Sequence, residues 1–272
     1  LFPAMLMWSL PLYLSAPLFP ERPAGTPDLW SLLPGLTFID DVWWSKILGR
    51  PIHALEGSFW TLYTEAKFYV SAAFLYFFFG RRALSLGLSA AFFFAAIIWL
   101  LVHPLGMTSL ARFEKVVIEL SLLHFGWFAA GSLWFFFAHE QQKQRWLDVL
   151  AWLLCAVSGI VSSELVPKDM LSALLVPILF VLALRNPTAQ RVLGHPILHL
   201  LGLVSYPLLL LHENVMLALL VKLGPHVPPQ WTPLLPIPIV LGLVLVAYPI
   251  AIYLAPPAEL FLRTKLFTPR VG

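Results

Sequence analysis

The amino-acid sequence predicts an all-α integral membrane protein, a polytopic bundle of transmembrane helices. Hydrophobic residues make up 60% of the 272 residues and charged residues only 11%, whereas a soluble globular domain carries about 25% charged residues. Mean hydropathy is +0.83. The apolar residues are also gathered into runs of about 20, the length a helix needs to cross the hydrocarbon core of a bilayer.

About eight apolar runs have the length and composition of membrane spans. They cover residues 1–19, 57–79, 83–102, 113–137, 146–163, 170–184, 197–221 and 234–255. The run at 170–184 is short for the hydrocarbon core, so we expect it to lean on flanking residues or to be partly re-entrant. The apolar stretch 28–39 is interrupted by Pro34 and Gly35 and is interpreted as an interfacial element.

Charged residues orient these spans through the positive-inside rule. Basic residues fall in alternate turns, which places those turns on the cytoplasmic face; they are Arg81, Arg82, Lys143, Arg145, Arg185, Arg191, Arg263, Lys265 and Arg270. The opposite connections hold nearly all the acidic residues. The longest of these connections, residues 20–56, either covers a site that opens outward or serves only as a covering segment.

Composition argues against several classes of function. The formal charge of +3 comes from Lys and Arg scattered between apolar runs, so no basic stripe indicates a nucleic-acid partner. Cys155 is the single cysteine; it cannot form an intramolecular disulfide, and we expect it to be a packing residue. No two histidines have the spacing of a zinc-binding helix, so we expect no metal.

Polar side chains inside the apolar runs are the functional candidates, because ionisable groups in hydrocarbon are costly. Residues 58–69 open the second run. On a helix, Thr61, Glu65 and Tyr69 share one face at four-residue spacing, whereas Lys67 points nearly opposite. We therefore predict that Glu65 and Lys67 do not form a pair.

A second group of polar side chains lies in the run 197–221; its members are Ser205, Tyr206, His212, Glu213 and Asn214. Seven-residue spacing places Ser205 with His212 on one helix face and Tyr206 with Glu213 on the adjacent face, unless Pro207 changes the register. Three consecutive polar residues in the middle of a span are hard to explain as packing.

A third group consists of Glu119 and His124, which lie on different helix faces. For Glu119 we expect a structural pairing. Measured from the outward ends of the predicted spans, Glu65, His124 and His212 lie roughly 12, 16 and 14 Å deep. These similar depths predict that the three side chains share one layer and a common functional cavity.

Two motifs carry a resemblance to a known family. Residues 59–69, Phe-Trp-Thr-Leu-Tyr-Thr-Glu-Ala-Lys-Phe-Tyr, resemble the Trp-Ser-Leu-x-x-Glu-x-x-Phe-Tyr signature of the acyltransferase-3 family, with Thr61 in place of the usual serine. Residues 201–212 are similar to that family's Leu-Gly-x-x-Ser-Tyr-x-x-Tyr-Leu-x-His signature, with Leu209 where a tyrosine is frequent. The resemblance covers essentially the whole chain as one domain, residues 1–272.

The resemblance implies an enzyme that moves an acyl group, by default acetyl, from acyl-CoA to a hydroxyl of a carbohydrate or cell-envelope acceptor. Acetyl-CoA would be a donor substrate, with no tightly bound cofactor. The implied location is the plasma membrane of a bacterium, in contact with membrane lipid. The family's presumed catalytic histidine lies on its first span, so we expect it upstream of Leu1 and the chain to be truncated at its N-terminus.

Site roles follow from the resemblance and the polar groups together. We expect Glu65 and His212 to be catalytic: Glu65 would orient the upstream histidine or hold the acceptor, and His212 would donate to the oxyanion or bind the acceptor. Substrate contacts are expected from Trp60, Thr61, Tyr69, His124, Ser205, Tyr206, Glu213 and Asn214.

Two other functions are compatible with the same residues. A transporter or flippase would use Glu65, His124 and His212 as a proton or substrate relay, although the sequence lacks inverted repeats. An inactive family remnant would only insert into the membrane.

Overall fold

The computed structural model describes residues 2–18, 20, 21, 26–139, 145–164, 166–254, 256 and 257. Over these residues the chain forms α-helices joined by short 3₁₀ and π-helical segments, with no β-strand. The predicted all-α class is therefore confirmed. The chain divides into two compact units, unit 1 (Leu1–Tyr63 and Gly194–Gly272) and unit 2 (Thr64–Leu193). The prediction of a single domain stays a prediction.

The helices are numbered in chain order. Unit 1 holds α1 (Phe2–Ser15), α2 (Leu32–Thr37), α3 (Asp41–Leu48), α11 (Pro196–Leu211), α12 (Leu217–Leu223) and α13 (Pro236–Pro249). Unit 2 holds α5 (Arg81–Val102), α6 (Ala111–Glu119), α7 (Phe125–His139), α8 (Arg145–Ser162), α9 (Pro167–Arg185) and α10 (Pro187–Leu193). Helix α4 (Trp60–Phe79) begins in unit 1 and continues in unit 2.

Within the described part of the chain, four helical segments are long and apolar enough to cross a membrane; they are Arg81–Val102, Arg145–Ser162, Pro196–His226 and Thr232–Tyr253. Two bent pairs raise the number to six if each pair is one span. Among the predicted spans, α1 has only 14 residues, about 21 Å of helix. Helix α4 is 20 residues long, but Glu65 and Lys67 in its first half lower its hydropathy.

The predicted span 113–137 is broken near its middle. Residues Thr108–Glu119 and Leu122–Phe136 run at 68° to each other, and Ser121 between them has φ +58°. A residue in this left-handed region ends a right-handed helix. The run at 170–184, predicted to be partly re-entrant, lies in a second bent pair, Asp169–Arg185 and Pro187–Leu193, with an angle of 103°.

The core of unit 2 lies between α5, α7 and α8. Phe92 of α5 packs in one cluster with Ala129 of α7 and Leu154 of α8, all fully buried. Small residues on α7 and α8 let the helices approach closely, as is usual between helices in lipid. Cys155 is 1% exposed within this cluster, which confirms its predicted role as a packing residue.

The core of unit 1 joins α1, the connection that follows it, the start of α4 and α11. Leu12, Leu55, Phe59 and Leu210 are buried together. The connection 20–56, predicted to be polar, contributes two short helices and the buried Ile52 and Leu55. Its last residues are therefore part of the core, and they carry Glu56 into it.

Candidate functional site

The last three residues of the second polar group, His212, Glu213 and Asn214, lie in a π-helical turn, His212–Met216, between α11 and α12. Pro207 lies inside α11, and a proline removes a backbone donor from the helix ladder. Single π-helical turns inside α-helices occur frequently at functional sites. The turn begins only at His212, whose backbone N–H still donates to the Leu208 carbonyl as in an α-helix.

His212 is held by the backbone of the preceding turn. Its Nδ1 lies 2.8 Å from the Leu209 carbonyl oxygen, and the buried Ser58 hydroxyl donates to the same oxygen at 3.1 Å. A carbonyl oxygen only accepts hydrogen bonds, so Nδ1 of His212 carries the proton. In the neutral ring Nε2 then bears a lone pair, and no described residue forms a hydrogen bond with it.

This tautomer bears on the two predicted roles of His212. A neutral His212 accepts a hydrogen bond at Nε2, which suits binding of an acceptor hydroxyl. Donation to an oxyanion would require the doubly protonated imidazolium form. The geometry therefore favours the acceptor-binding role over the oxyanion-stabilising role.

Asn214 anchors the π-helical turn to a buried carboxyl group that the sequence did not single out. Glu56 is 0% exposed; its Oε1 accepts from the Asn214 backbone N–H at 3.0 Å and its Oε2 from the Asn214 amide at 2.8 Å. The same amide donates to the Leu55 carbonyl at 2.8 Å. Asn214 is itself 3% exposed, so its geometry is that of a positioning residue.

Glu213 lies on the other side of the same turn, against Gly57. A Cβ atom at Gly57 would overlap the Glu213 carboxyl group. A side chain at position 57 would therefore displace the Glu213 carboxyl group from its present place. Glu56 and Gly57 contact two consecutive residues of the turn, Asn214 and Glu213.

Ser205 and Tyr206 precede the turn on α11. The Ser205 hydroxyl is exposed and donates to the Gly202 carbonyl at 2.7 Å. Tyr206 packs against the buried cluster of unit 1 that contains Leu12 and Phe59. The predicted substrate contacts of both residues stay predictions.

The first motif lies at the start of α4. Trp60 is 54% exposed, and the Thr61 hydroxyl donates to the Ser58 carbonyl at 2.8 Å. The Tyr69 hydroxyl donates to Glu65 Oε1 at 2.6 Å, so the predicted shared face of Glu65 and Tyr69 is confirmed. Tyr69 orients Glu65, and no described residue forms a hydrogen bond with the second carboxyl oxygen.

Lys67 points away from Glu65, as predicted, and binds the break between α6 and α7. Its ammonium group donates to the Glu119 carbonyl at 2.7 Å and to the Ser121 hydroxyl at 3.2 Å. Thr64 also donates to the Ser121 hydroxyl at 3.3 Å. A cation at the C-terminus of a helix is stabilised by the helix dipole, so Lys67 supports the bend.

His124 follows this break and lines a cavity of about 640 Å³ within unit 2. Glu65 and His124 belong to unit 2 and His212 to unit 1. The predicted common cavity of these three residues stays a prediction. Within the described ranges no group of three or more His, Cys, Asp or Glu side chains could hold a metal ion.

The chain matches no protein-family model, no curated protein and no solved structure. The resemblance to the acyltransferase-3 family rests on the residues quoted above.

Proposed function

We propose that this chain is part of a multi-pass membrane acyltransferase, which moves an acyl group from acyl-CoA to a hydroxyl of a carbohydrate or cell-envelope acceptor. About eight spans would lie in a bacterial plasma membrane, with acetyl as the default acyl group. Two motifs of the acyltransferase-3 family, at residues 59–69 and 201–212, support this proposal. The observation that carries it is the fixed His212 ring at the end of the second motif.

The proposed reaction converts an alcohol and a thioester into an ester and a thiol. The acceptor oxygen attacks the thioester carbonyl carbon, its proton passes to a histidine acting as general base, and the carbon–sulfur bond breaks. The departing thiolate takes up a proton, so protons balance over one turnover. The resemblance implies that the base is the histidine of the family's first span.

His212 and Glu65 have supporting roles in this mechanism. His212 accepts a hydrogen bond from an acceptor hydroxyl at Nε2, because its Nδ1 proton is used on the Leu209 carbonyl. Glu65, oriented by Tyr69, accepts a hydrogen bond from the catalytic histidine or from the acceptor through its second carboxyl oxygen. Asn214 and Glu56 hold the turn that carries His212.

The test is a transfer assay with the protein expressed from its complete coding frame and reconstituted in lipid nanodiscs. Carbon-14 acetyl-CoA is incubated with an envelope carbohydrate fraction from a strain that lacks the protein, and radiolabel in the carbohydrate is counted. Label that appears only with active protein supports the acyltransferase. Gradient-driven uptake into proteoliposomes without label transfer would instead support the transporter.

A matched pair of histidine variants tests the assigned role. His212→Phe removes the fixed imidazole, whereas His199→Phe changes an exposed histidine on the same helix, α11. We expect transfer to fall in the first variant and to persist in the second. Equal activity of the two variants would remove His212 from the mechanism.

A further inference from the structure

A cavity of about 640 Å³ in unit 2 is separate from the residues of the π-helical turn. It lies where α5 and α8 end and where the chain breaks between α6 and α7. Its volume is within the range of small-molecule sites, about 300–1,000 Å³. Apolar walls include Trp99 and Leu123, and the polar lining consists of His103, His124, Ser162 and Glu164.

His103 is held in the cavity wall by a carboxyl group behind it. Its Nε2 lies 2.6 Å from Glu114 Oε1, and the two side chains are 54% and 14% exposed. The ring also lies 5.0 Å from the Trp99 ring, centroid to centroid. The contact is an ion-pair distance only, because Glu114 Oε1 has no hydrogen-bond partner among the described residues. An imidazole at a cavity wall can donate or accept a hydrogen bond with a ligand hydroxyl, depending on its tautomer.

Glu164 contributes a second carboxyl group at the end of α8. Its backbone has φ +49°, in the left-handed region that few residues other than glycine adopt. Such backbone conformations concentrate at functional sites. The conformation of Glu164 therefore favours a ligand-binding role for the cavity.

The charge of the lining decides which ligand the cavity fits. No Lys or Arg is among the described residues that line it, whereas Glu164 lines it and Glu114 lies behind His103. The phosphate groups of coenzyme A need cations or helix N-termini as partners. Carboxylate, imidazole and serine groups instead match the donors and acceptors of hydroxyl groups.

We propose that this cavity binds the hydroxyl-bearing acceptor as a sugar or other polyol, and that it does not bind the acyl-CoA donor. The assignment of the ligand as an acceptor rests on the proposed function. Glu164 accepts hydrogen bonds from ligand hydroxyls and His103 forms one with them, while the Glu114 carboxyl group lies against the His103 ring.

The test measures binding of methyl α-D-glucopyranoside to the purified protein in nanodiscs by saturation-transfer NMR. Coenzyme A is titrated separately. We expect Glu164→Gln and His103→Phe each to bind the glucoside about tenfold more weakly, the effect of one weakened or lost hydrogen bond. Asp169→Asn, an exposed carboxylate of the nearby α9, and His226→Phe are the matched controls and keep wild-type affinity.

A second measurement blocks the cavity after folding, so that misfolding cannot imitate the result. Ser162→Cys is prepared in a Cys155→Ala background and labelled with a benzyl methanethiosulfonate reagent. We expect the label to abolish glucoside binding and to leave coenzyme A binding unchanged. Glucoside binding that survives the label, or that is absent from the wild type, overturns the proposal, as does a label that blocks coenzyme A instead.

These outcomes are distinguishable from failure of the proposed function. If the label blocks glucoside binding but the protein shows no acyl transfer, the polyol site is supported and the acyltransferase proposal is rejected. If the labelled protein still transfers acyl groups, the acyltransferase proposal is supported and this cavity is not the acceptor site.

Discussion

Removal of the Asn214 side chain tests how unit 1 holds the turn that carries His212. Asn214→Ala eliminates the amide bonds to Glu56 Oε2 and to the Leu55 carbonyl, each 2.8 Å long, and keeps the backbone bond to Glu56 Oε1. A hydrogen bond to a charged group contributes about 1.5–3 kcal/mol and one between neutral groups about 1 kcal/mol. The expected loss of stability is therefore about 3 kcal/mol.

The assay is thermal unfolding in detergent, followed by tryptophan fluorescence. A loss of about 3 kcal/mol corresponds to a fall in Tm of about 6–12 °C for a chain of this size. Val221→Ala, at an exposed position of the neighbouring α12, is the control and stays within about 0.5 kcal/mol of the wild type. A double-mutant cycle with Glu56→Ala then isolates the contact between the two side chains.

The cycle predicts a coupling of about 1.5–3 kcal/mol between Glu56 and Asn214, because either single substitution already removes their shared bond. Additive losses, with coupling near zero, would refute the reasoning. In that case the bonds between the two residues would not contribute to the stability of the turn.

Three further predictions concern other parts of the structure. Gly126→Ala places a Cβ against the Ser158 hydroxyl and 2.8 Å from the Phe92 ring, and we expect a loss of about 1–3 kcal/mol in thermal unfolding. Gly131→Ala on the same helix places a Cβ with no atom within 4 Å, and we expect it to raise stability by about 0.5–1 kcal/mol. Equal losses of stability in the two variants would contradict the close packing at Gly126. Lys67→Met is expected to lower the free energy of unfolding by about 1–2 kcal/mol, because Lys67 donates hydrogen bonds at the end of α6. Lys222→Met, at an exposed position, is the control and leaves stability unchanged. A Lys67→Met variant as stable as the wild type would show that Lys67 does not stabilise the bend. Nitrogen-15 NMR of neutral His212 should find the proton on Nδ1; a proton on Nε2 would reverse its role.

Local features of the fold were predictable because they depend on spacing within one helix. The shared face of Glu65 and Tyr69 follows from four-residue periodicity, and their hydrogen bond in the structure agrees with it. The opposite direction of Lys67 follows from the same geometry. Core placement of Cys155 follows from its position inside a long apolar run.

Features that depend on distant residues were not predictable. Glu56 and Asn214 are 158 positions apart, and nothing in the sequence distinguishes Glu56 from the other acidic residues of the connection 20–56. Ser121 is not glycine, so nothing in the sequence marks its positive φ or the break that it makes in the span 113–137. Such features arise from tertiary contacts that override local pattern.

The residues of the cavity in unit 2 were not predictable for the same reason. His103 lies at the end of α5, outside the predicted span 83–102. Its pairing with Glu114 arises because the chain turns back between α5 and α6. The two residues belong to different elements, with a turn between them, so the periodicity of a single helix gives no signal for their contact.

The most direct test of the proposed function is acyl transfer by the complete protein with and without His212. Purified wild type, His212→Phe and His199→Phe are compared in nanodiscs with carbon-14 acetyl-CoA and envelope carbohydrate. The proposed role predicts label transfer by the wild type and by His199→Phe, and a loss of at least about tenfold in His212→Phe, equivalent to one lost hydrogen bond. No transfer by the wild type, or equal transfer by all three proteins, would contradict it.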